Sequence, residues 1–157
     1  MESVYMKSPV GNLKISADSS GISEVAFTEH PIVTMGDILD ELQEAVTQLD
    51  EYFNKKRKKF DLKLNPEGTV FQKKVWNKLL TVEFGKTQSY RQMANSLGDP
   101  KAIRAAASAN GKNPIAIIIP CHRIIGSDGS LTGYAGGLHR KKWLLQHESP
   151  VVQAELF

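Results

Sequence analysis

An α+β fold follows from three observations on the 157-residue sequence. Short runs that alternate apolar and polar residues fill the first thirty positions, as half-buried strands do. Apolar residues at helical spacing then run from position 38 to position 53. Beyond "DLKLNPEG" (61–68), where proline, asparagine and glycine mark a boundary, helix caps and helical periodicity dominate. The prediction is an N-terminal β-meander with one helix (1–66), joined to a mainly helical domain (67–157).

Taken in order, a strand near 3–7 turns at "SPVG". "NLKISAD" (12–18) places Leu13, Ile15 and Ala17 on one face, and "DSSG" (18–21) turns the chain into "ISEVAF" (22–27). Ile38, Leu42, Ala45, Val46, Leu49, Tyr52 and Phe53 define a helix that begins near Asp37 and ends in the lysine run "KKRKK" (55–59), whose charge suits a helix C-terminus. Thr69 and Gln72 form a capping box for a helix with Phe71, Val75, Leu79 and Val82 on one face. Ser89 caps a short helix, "YRQMANSLG", which Gly98 closes. Asp99 and Pro100 supply an N-cap and first-turn proline for "KAIRAAASAN", which Gly111 ends. These two short helices around a Gly-Asp-Pro turn read as a helix-turn-helix, and the second half as winged-helix-like. "NPIAIIIP" (113–120) reads as a fully buried strand. A glycine-rich loop (126–137) leads to a last helix over 138–148, with Leu138, Leu144 and Leu145 as core candidates.

Composition narrows the function classes. No apolar run approaches the roughly 20 residues that span a bilayer, and "MESVYMKSPVG" lacks the basic and apolar regions of a signal peptide. The reading is a cytoplasmic protein whose thiol stays reduced. Cys121 has no second cysteine to resolve it, which argues against disulfide chemistry. Cys121, His30, His122, His139 and His147 show no zinc-type spacing, so no structural metal is expected. Net charge is +3 but uneven: residues 1–66 carry 8 Lys+Arg against 11 Asp+Glu, and residues 67–157 carry 12 against 6. A basic half joined to an acidic half fits a polyanionic partner for the second half. The lysine run reads as a solvated helix end, with nucleic-acid contact as its alternative.

Chemistry centres on "IIIPCHRIIG" (117–126), which holds the chain's one cysteine beside a histidine. A thiol reacts as thiolate, and a neighbouring cation or imidazole lowers its pKa from about 8.5. Side chains alternate along an extended segment, so Cys121 and His122 meet only if the chain turns after Pro120. Glu148 is a candidate to fix the imidazole's tautomer. The bland alternative is a cysteine serving as a small buried hydrophobe. The alanine-rich interior of 102–109, with Lys101 and Arg104 projecting, allows close packing on another helix or close approach to a nucleic-acid groove.

"PCHRII" (120–125) resembles the active-site signature of the O6-alkylguanine-DNA alkyltransferases, the methylated-DNA–protein-cysteine methyltransferases. The resemblance runs colinearly through 71–145, taking in "SY", "AIRAA", "NP" and "GYAGG", with Glu148 at the place of the family's glutamate. It implies a DNA repair protein that flips O6-methylguanine, with O4-methylthymine as a second candidate, out of double-stranded DNA and takes the alkyl group irreversibly on Cys121. It implies that His122 deprotonates Cys121 through a water, that Glu148 orients His122, and that Tyr90 donates toward guanine N3. Arg104 would fill the gap left by the flipped nucleotide, with Ala105 beside it. Tyr134 would wall the base pocket, and the backbone at Ala135 would donate to O6. Asn113 would brace the turn before the active-site strand, Lys141 would stand near the base, and Arg123 belongs to the same binding set; no redox, nucleotide or metal cofactor is required. Ala107 and Ser108 stand where members often carry glycine, and Ala135 where some carry serine. The expected form is a monomer. Competing readings are a lesion-binding protein without transfer, against which Cys121 weighs, a regulator using the helix-turn-helix alone, and a cysteine hydrolase, for which no separate oxyanion hole is visible.

Overall fold

The computed structural model describes residues 2–30 and 40–150. It divides into two compact units, one formed by Met1–Glu67 with Pro114–Ile118, the other by Gly68–Asn113 with Ile119–Phe157.

In the first unit, β1 (Glu2–Met6), β2 (Leu13–Asp18) and β3 (Gly21–Phe27) form an antiparallel meander. Asp18 pairs with Gly21 across a two-residue turn, and Gly21 takes φ +128°, a region that costs glycine nothing. Leu13, Ile15 and Ala17 are fully buried, as their alternation requires. The free edge of β3 is covered by single parallel bridges from Leu64 to Ile22 and from Ile115 to Val25. Unpaired strand edges invite intermolecular pairing, so this covering has a function of its own. α1 (Asp40–Phe53) buries Leu42, Ala45, Leu49 and Tyr52. The start expected near Asp37 lies outside the described residues. Gln48 is also buried, because its amide pairs twice with the Asp61 backbone, donating to O at 3.0 Å and accepting from N at 2.8 Å.

The lysine run does not extend α1; it begins past a closed C-terminus. Lys55 N–H donates to Tyr52 O at 3.1 Å and Lys56 N–H to Glu51 O at 2.8 Å, with Lys55 at φ +61°. This pair of bonds around a left-handed residue is the Schellman termination, made here on lysine where glycine is usual.

"NPIAIIIP" is not a regular strand. Ile115 makes one isolated bridge, and the chain then turns at Ile117, with φ +72° and Ile118 N–H bonded to Ala116 O at 2.8 Å. A γ-turn of this hand is rare and strained, most of all on a β-branched side chain. Ile115, Ile117, Ile118 and Ile119 are all buried. The apolar run that suggested a strand thus reports burial alone, since periodicity cannot separate buried strand from buried turn.

In the second unit, α2 (Val70–Leu79) opens with the expected Thr69–Gln72 capping box. Its buried residues are Val75, Trp76 and Leu79, and the Trp76 indole donates to Ala109 O at 2.9 Å. α3 (Tyr90–Ser96) has a second capping box, Ser89 with Gln92, and closes with Gly98 at φ +87°. Asp99 caps a 3₁₀ turn, Pro100–Ala102, that runs into α4 (Ile103–Gly111). Gly111 lies inside α4, and Lys112 is its C-cap. Two-residue strands β4 (Gln88–Ser89) and β5 (Ile124–Ile125) pair in parallel, an element too short for sequence periodicity to register. α5 (Leu138–Glu148) buries Lys141, Leu144, Leu145, His147 and Glu148. Leu138 is exposed, because it precedes the first buried residue by a turn and lies past the packed span. Among the described residues no helix is long and apolar enough to cross a membrane.

Candidate active site

Pro120 makes the turn on which contact between Cys121 and its surroundings depends. At φ −83° and ψ 63° it centres an inverse γ-turn, closed by Cys121 N–H to Ile119 O at 2.8 Å. Proline's fixed φ suits that geometry. Cys121, His122 and Arg123 then form one 3₁₀ turn, buried throughout. Asn113 Nδ2 donates to Ile119 O at 2.7 Å, bracing the loop from the other side, and Asn110 Nδ2 lies 3.5 Å from Cys121 O.

Behind the thiol stands a buried charged cluster. His122 Nε2 lies 2.7 Å from Glu148 Oε2. Arg123 grips the same carboxylate with two arms, Nε to Oε1 at 2.7 Å and Nη2 to Oε2 at 3.0 Å, while Nη1 donates to Val82 O at 2.6 Å. Burial works against ionisation of Glu148, but His122 and Arg123 outweigh it and hold the carboxyl well below the ordinary carboxylate range. In the neutral ring, a carboxylate accepting from Nε2 places the one imidazole proton there and leaves Nδ1 as the acceptor nitrogen. Nδ1 is buried and has no hydrogen-bond partner among the described residues. Arg123 thus belongs to this interior cluster, where each of its three guanidinium nitrogens donates one hydrogen bond.

Cys121 is not held as a thiolate. Burial pushes its pKa up, against the hydrogen bond from Asn113 and the positive charge of Lys141. The lowering expected from an adjacent imidazole is not among the influences on the thiol, and that from the cation Lys141 loses to desolvation, which sequence adjacency cannot report. Lys141 is itself fully buried, with Nζ donating to Ile124 O at 2.6 Å and Thr132 O at 2.7 Å. Burial lowers its pKa to about 8, and ionisation of Cys121 would act in the opposite sense.

The β4–β5 pair sets Ser89 against Ile125, so Tyr90, which follows β4, lies near the end of the cysteine turn. Tyr90 makes two long contacts to Thr132, 3.4 Å to O and 3.3 Å to Oγ1, and its ring centroid is 5.9 Å from Lys141 Nζ. Lys141 therefore ties the glycine-rich loop to β5. Thr132 was invisible as a site residue, since no sequence signal marks a loop carbonyl. Tyr134 begins a turn closed by Gly137 N–H to Tyr134 O at 2.8 Å, with exposed Ala135 inside it. Burial first, and the negative charge of Cys121 once it ionises, raise the Tyr134 pKa well above its usual value, which keeps the phenol neutral near the sulfur.

α4 divides into two faces. Ala106, Ala109 and Asn110 are buried, and Arg104, Ala105 and Ser108 are exposed. The exposed side chains beside Arg104 are small, so backbone can come close to a large partner there. His30 and His139 take no part in the cluster around Cys121. His147 stacks on Trp143 with ring centroids 4.7 Å apart.

Residues 70–150 match the 6-O-methylguanine DNA methyltransferase DNA binding domain, and residues 2–66 match the ribonuclease-like domain of the same methyltransferase. The methylated-DNA–protein-cysteine methyltransferase of Methanosarcina barkeri is 46% identical over 148 residues, 91% of this chain and 94% of that protein. Its counterpart in Mycobacterium leprae is 41% identical over 155 residues, 96% of this chain and 94% of that protein. The crystal structure of Mycobacterium tuberculosis OGT in complex with DNA is similar with a TM-score of 0.85 at 40% identity, covering 94% of this chain and 93% of that one. With both halves matched and relatives this similar along nearly the full length, the chain belongs to the 6-O-methylguanine DNA methyltransferase family.

Proposed function

We propose that this protein repairs O6-alkylguanine in double-stranded DNA by moving the alkyl group to Cys121, once per molecule. The observation that carries the reading is the cluster behind the thiol. His122 is fixed by Glu148 through Nε2, so its buried Nδ1 is the nitrogen with an available lone pair, in the same turn as Cys121. A thiol held protonated by burial needs such a base at the moment of reaction.

In the proposed step His122 accepts the thiol proton, through a water. The sulfur lone pair attacks the alkyl carbon as the carbon–O6 bond breaks, and the bonding pair leaves on the guanine. Tyr90 donates toward N3, offsetting the charge that builds there, and the base departs neutral once protonated. Backbone at Ala135 donates to O6, Tyr134 walls the base, and Lys141 holds loop and β5 together beside it. Asn113 braces the turn, and Arg123 secures Glu148. The product thioether is a poor leaving group and no second thiol is present to accept the alkyl, so the transfer ends the molecule's activity.

The alkyl carbon on a stacked guanine is out of reach of a buried thiol, so the nucleotide must leave the duplex at a cost of a few kcal/mol, least for a poorly pairing lesion. Arg104 and Ala105, on the exposed small-residue face of α4, would enter the minor groove and fill the gap. The minor groove's degenerate code suits a protein that scans any sequence. In this reading residues 67–157 bind DNA and react, residues 1–66 act as a scaffold, and the monomer works in the reducing cytoplasm. Similarity to a chain solved on DNA supports the choice of partner.

The test is to incubate the protein with an oligonucleotide carrying O6-methylguanine, digest it, and weigh the peptide containing Cys121. The expected result is a gain of one methyl group, absent in Cys121→Ser, with product capped at one per protein molecule. Repeated turnover by substoichiometric protein, or an unmodified Cys121 peptide, would overturn it.

A further inference from the structure

We infer that the turn after α1 is a second contact for the DNA backbone, made through Lys55, Lys56 and Lys59 in the first unit. The choice of polyanion rests on the duplex-binding reading above.

Residues 1–66 carry 8 Lys+Arg, and five of them fall at 55–59, within a stretch that is otherwise acidic. The turn that displays them is built. Its backbone is closed by the Schellman bonds of Lys55 and Lys56. Arg57 pins it from inside, with Nε on Glu51 Oε1 at 3.0 Å and Nη1 on Lys59 O at 2.9 Å. Tyr52 and Phe60 anchor its two ends, with ring centroids 5.5 Å apart. Arg57 is thereby neutralised by Glu51, whereas Lys55, Lys56 and Lys59 are exposed and make no ion pair among the described residues. Lys58 is engaged elsewhere, and the exposed carboxylates Asp50 and Asp61 flank the turn without reaching these three.

The choice of residue at 55 separates this from an ordinary solvated helix end. The left-handed position that closes α1 favours glycine, and the same termination at the end of α3 uses Gly98. Lysine there carries backbone strain with no packing in return, since its side chain is exposed. What the side chain adds is a fixed charge beside two others. Three ammonium groups on a pinned turn suit phosphate oxygens, which accept from lysine without demanding a planar fork.

Each phosphate contact made by a lysine adds about 0.9 to the slope of log affinity against log salt. The triple variant K55Q/K56Q/K59Q and the wild type are titrated by fluorescence anisotropy on an undamaged duplex. Between about 50 and 200 mM salt the wild type is expected to lose about 40-fold more affinity than the variant. Both should react equally fast with free O6-benzylguanine base, which needs no duplex and reports an intact second unit. An unchanged salt slope in a variant that still reacts with the free base overturns the inference. So does a variant that keeps its slope on DNA while losing affinity for phosphatidylserine vesicles, which would assign the turn to a membrane surface. A wild type that binds duplex with the expected slope but never modifies Cys121 sinks the repair reading and leaves the lysine turn standing.

Discussion

Replacing Glu148 by glutamine tests the charged cluster behind the thiol. The carboxylate lies 2.7 Å from His122 and takes both arms of Arg123 at 2.7 and 3.0 Å, almost wholly out of water. Glutamine keeps the size and one acceptor oxygen but removes the charge, which leaves the Arg123 guanidinium buried without its counter-ion. Breaking a buried ion pair from one side costs about 3–5 kcal/mol. At a urea m-value of about 2 kcal/mol per molar, that is a fall in midpoint of about 2 M. Unfolding can be followed by the fluorescence of Trp76 and Trp143. The sign of the pH dependence follows from the direction of the shift. Glu148's folded pKa lies below its unfolded value of about 4.3, so its contribution is present above that pH and is lost as pH falls toward the folded pKa. The gap between wild type and variant should therefore narrow between about pH 5 and pH 3. A double-mutant cycle with Arg123→Met should return part of the loss, since the second change removes the stranded charge. A variant within about 1 kcal/mol of wild type at neutral pH, or a gap indifferent to acid, would refute the cluster as drawn.

Three further outcomes are expected. Arg104→Ala should slow repair in duplex DNA by at least about tenfold, the effect of roughly 1.4 kcal/mol on a barrier, while leaving reaction with free alkylguanine base unchanged; equal losses on both would remove Arg104 from extrusion. Because burial raises the Cys121 pKa, its alkylation by iodoacetamide near pH 7 should be slower than that of free cysteine, whose thiolate fraction there is about 3%. The rate should climb about tenfold per pH unit until past pH 9, and a plateau reached near neutrality would show an ionised thiol. Lys55→Gly should raise stability by about 0.5–1 kcal/mol in urea titration, as relief of left-handed strain exceeds glycine's entropic cost, and should lower the salt slope for duplex binding by about one lysine contact.

Much of this molecule was legible in its sequence. The meander, the Thr69–Gln72 capping box, the Ser89 cap, the Gly98 stop and the span of α5 each depend on signals confined to a few neighbouring residues: alternation, a side chain that reaches a backbone N–H three positions on, or a missing Cβ. The family likeness was readable for the same reason, since its motifs are local strings around Cys121. The tertiary structure alone decided what those strings do electrically. Pro120 turning Cys121 inward, Arg123 and His122 sharing Glu148, and Lys141 meeting Thr132 and Ile124 all join residues from separate segments. "NPIAIIIP" shows the limit most plainly, as its apolar run announced burial but gave no hint of the turn at Ile117. Whether a thiol is ionised depends on how much water its neighbours remove and which charges they leave in place, and both are properties of packing in three dimensions.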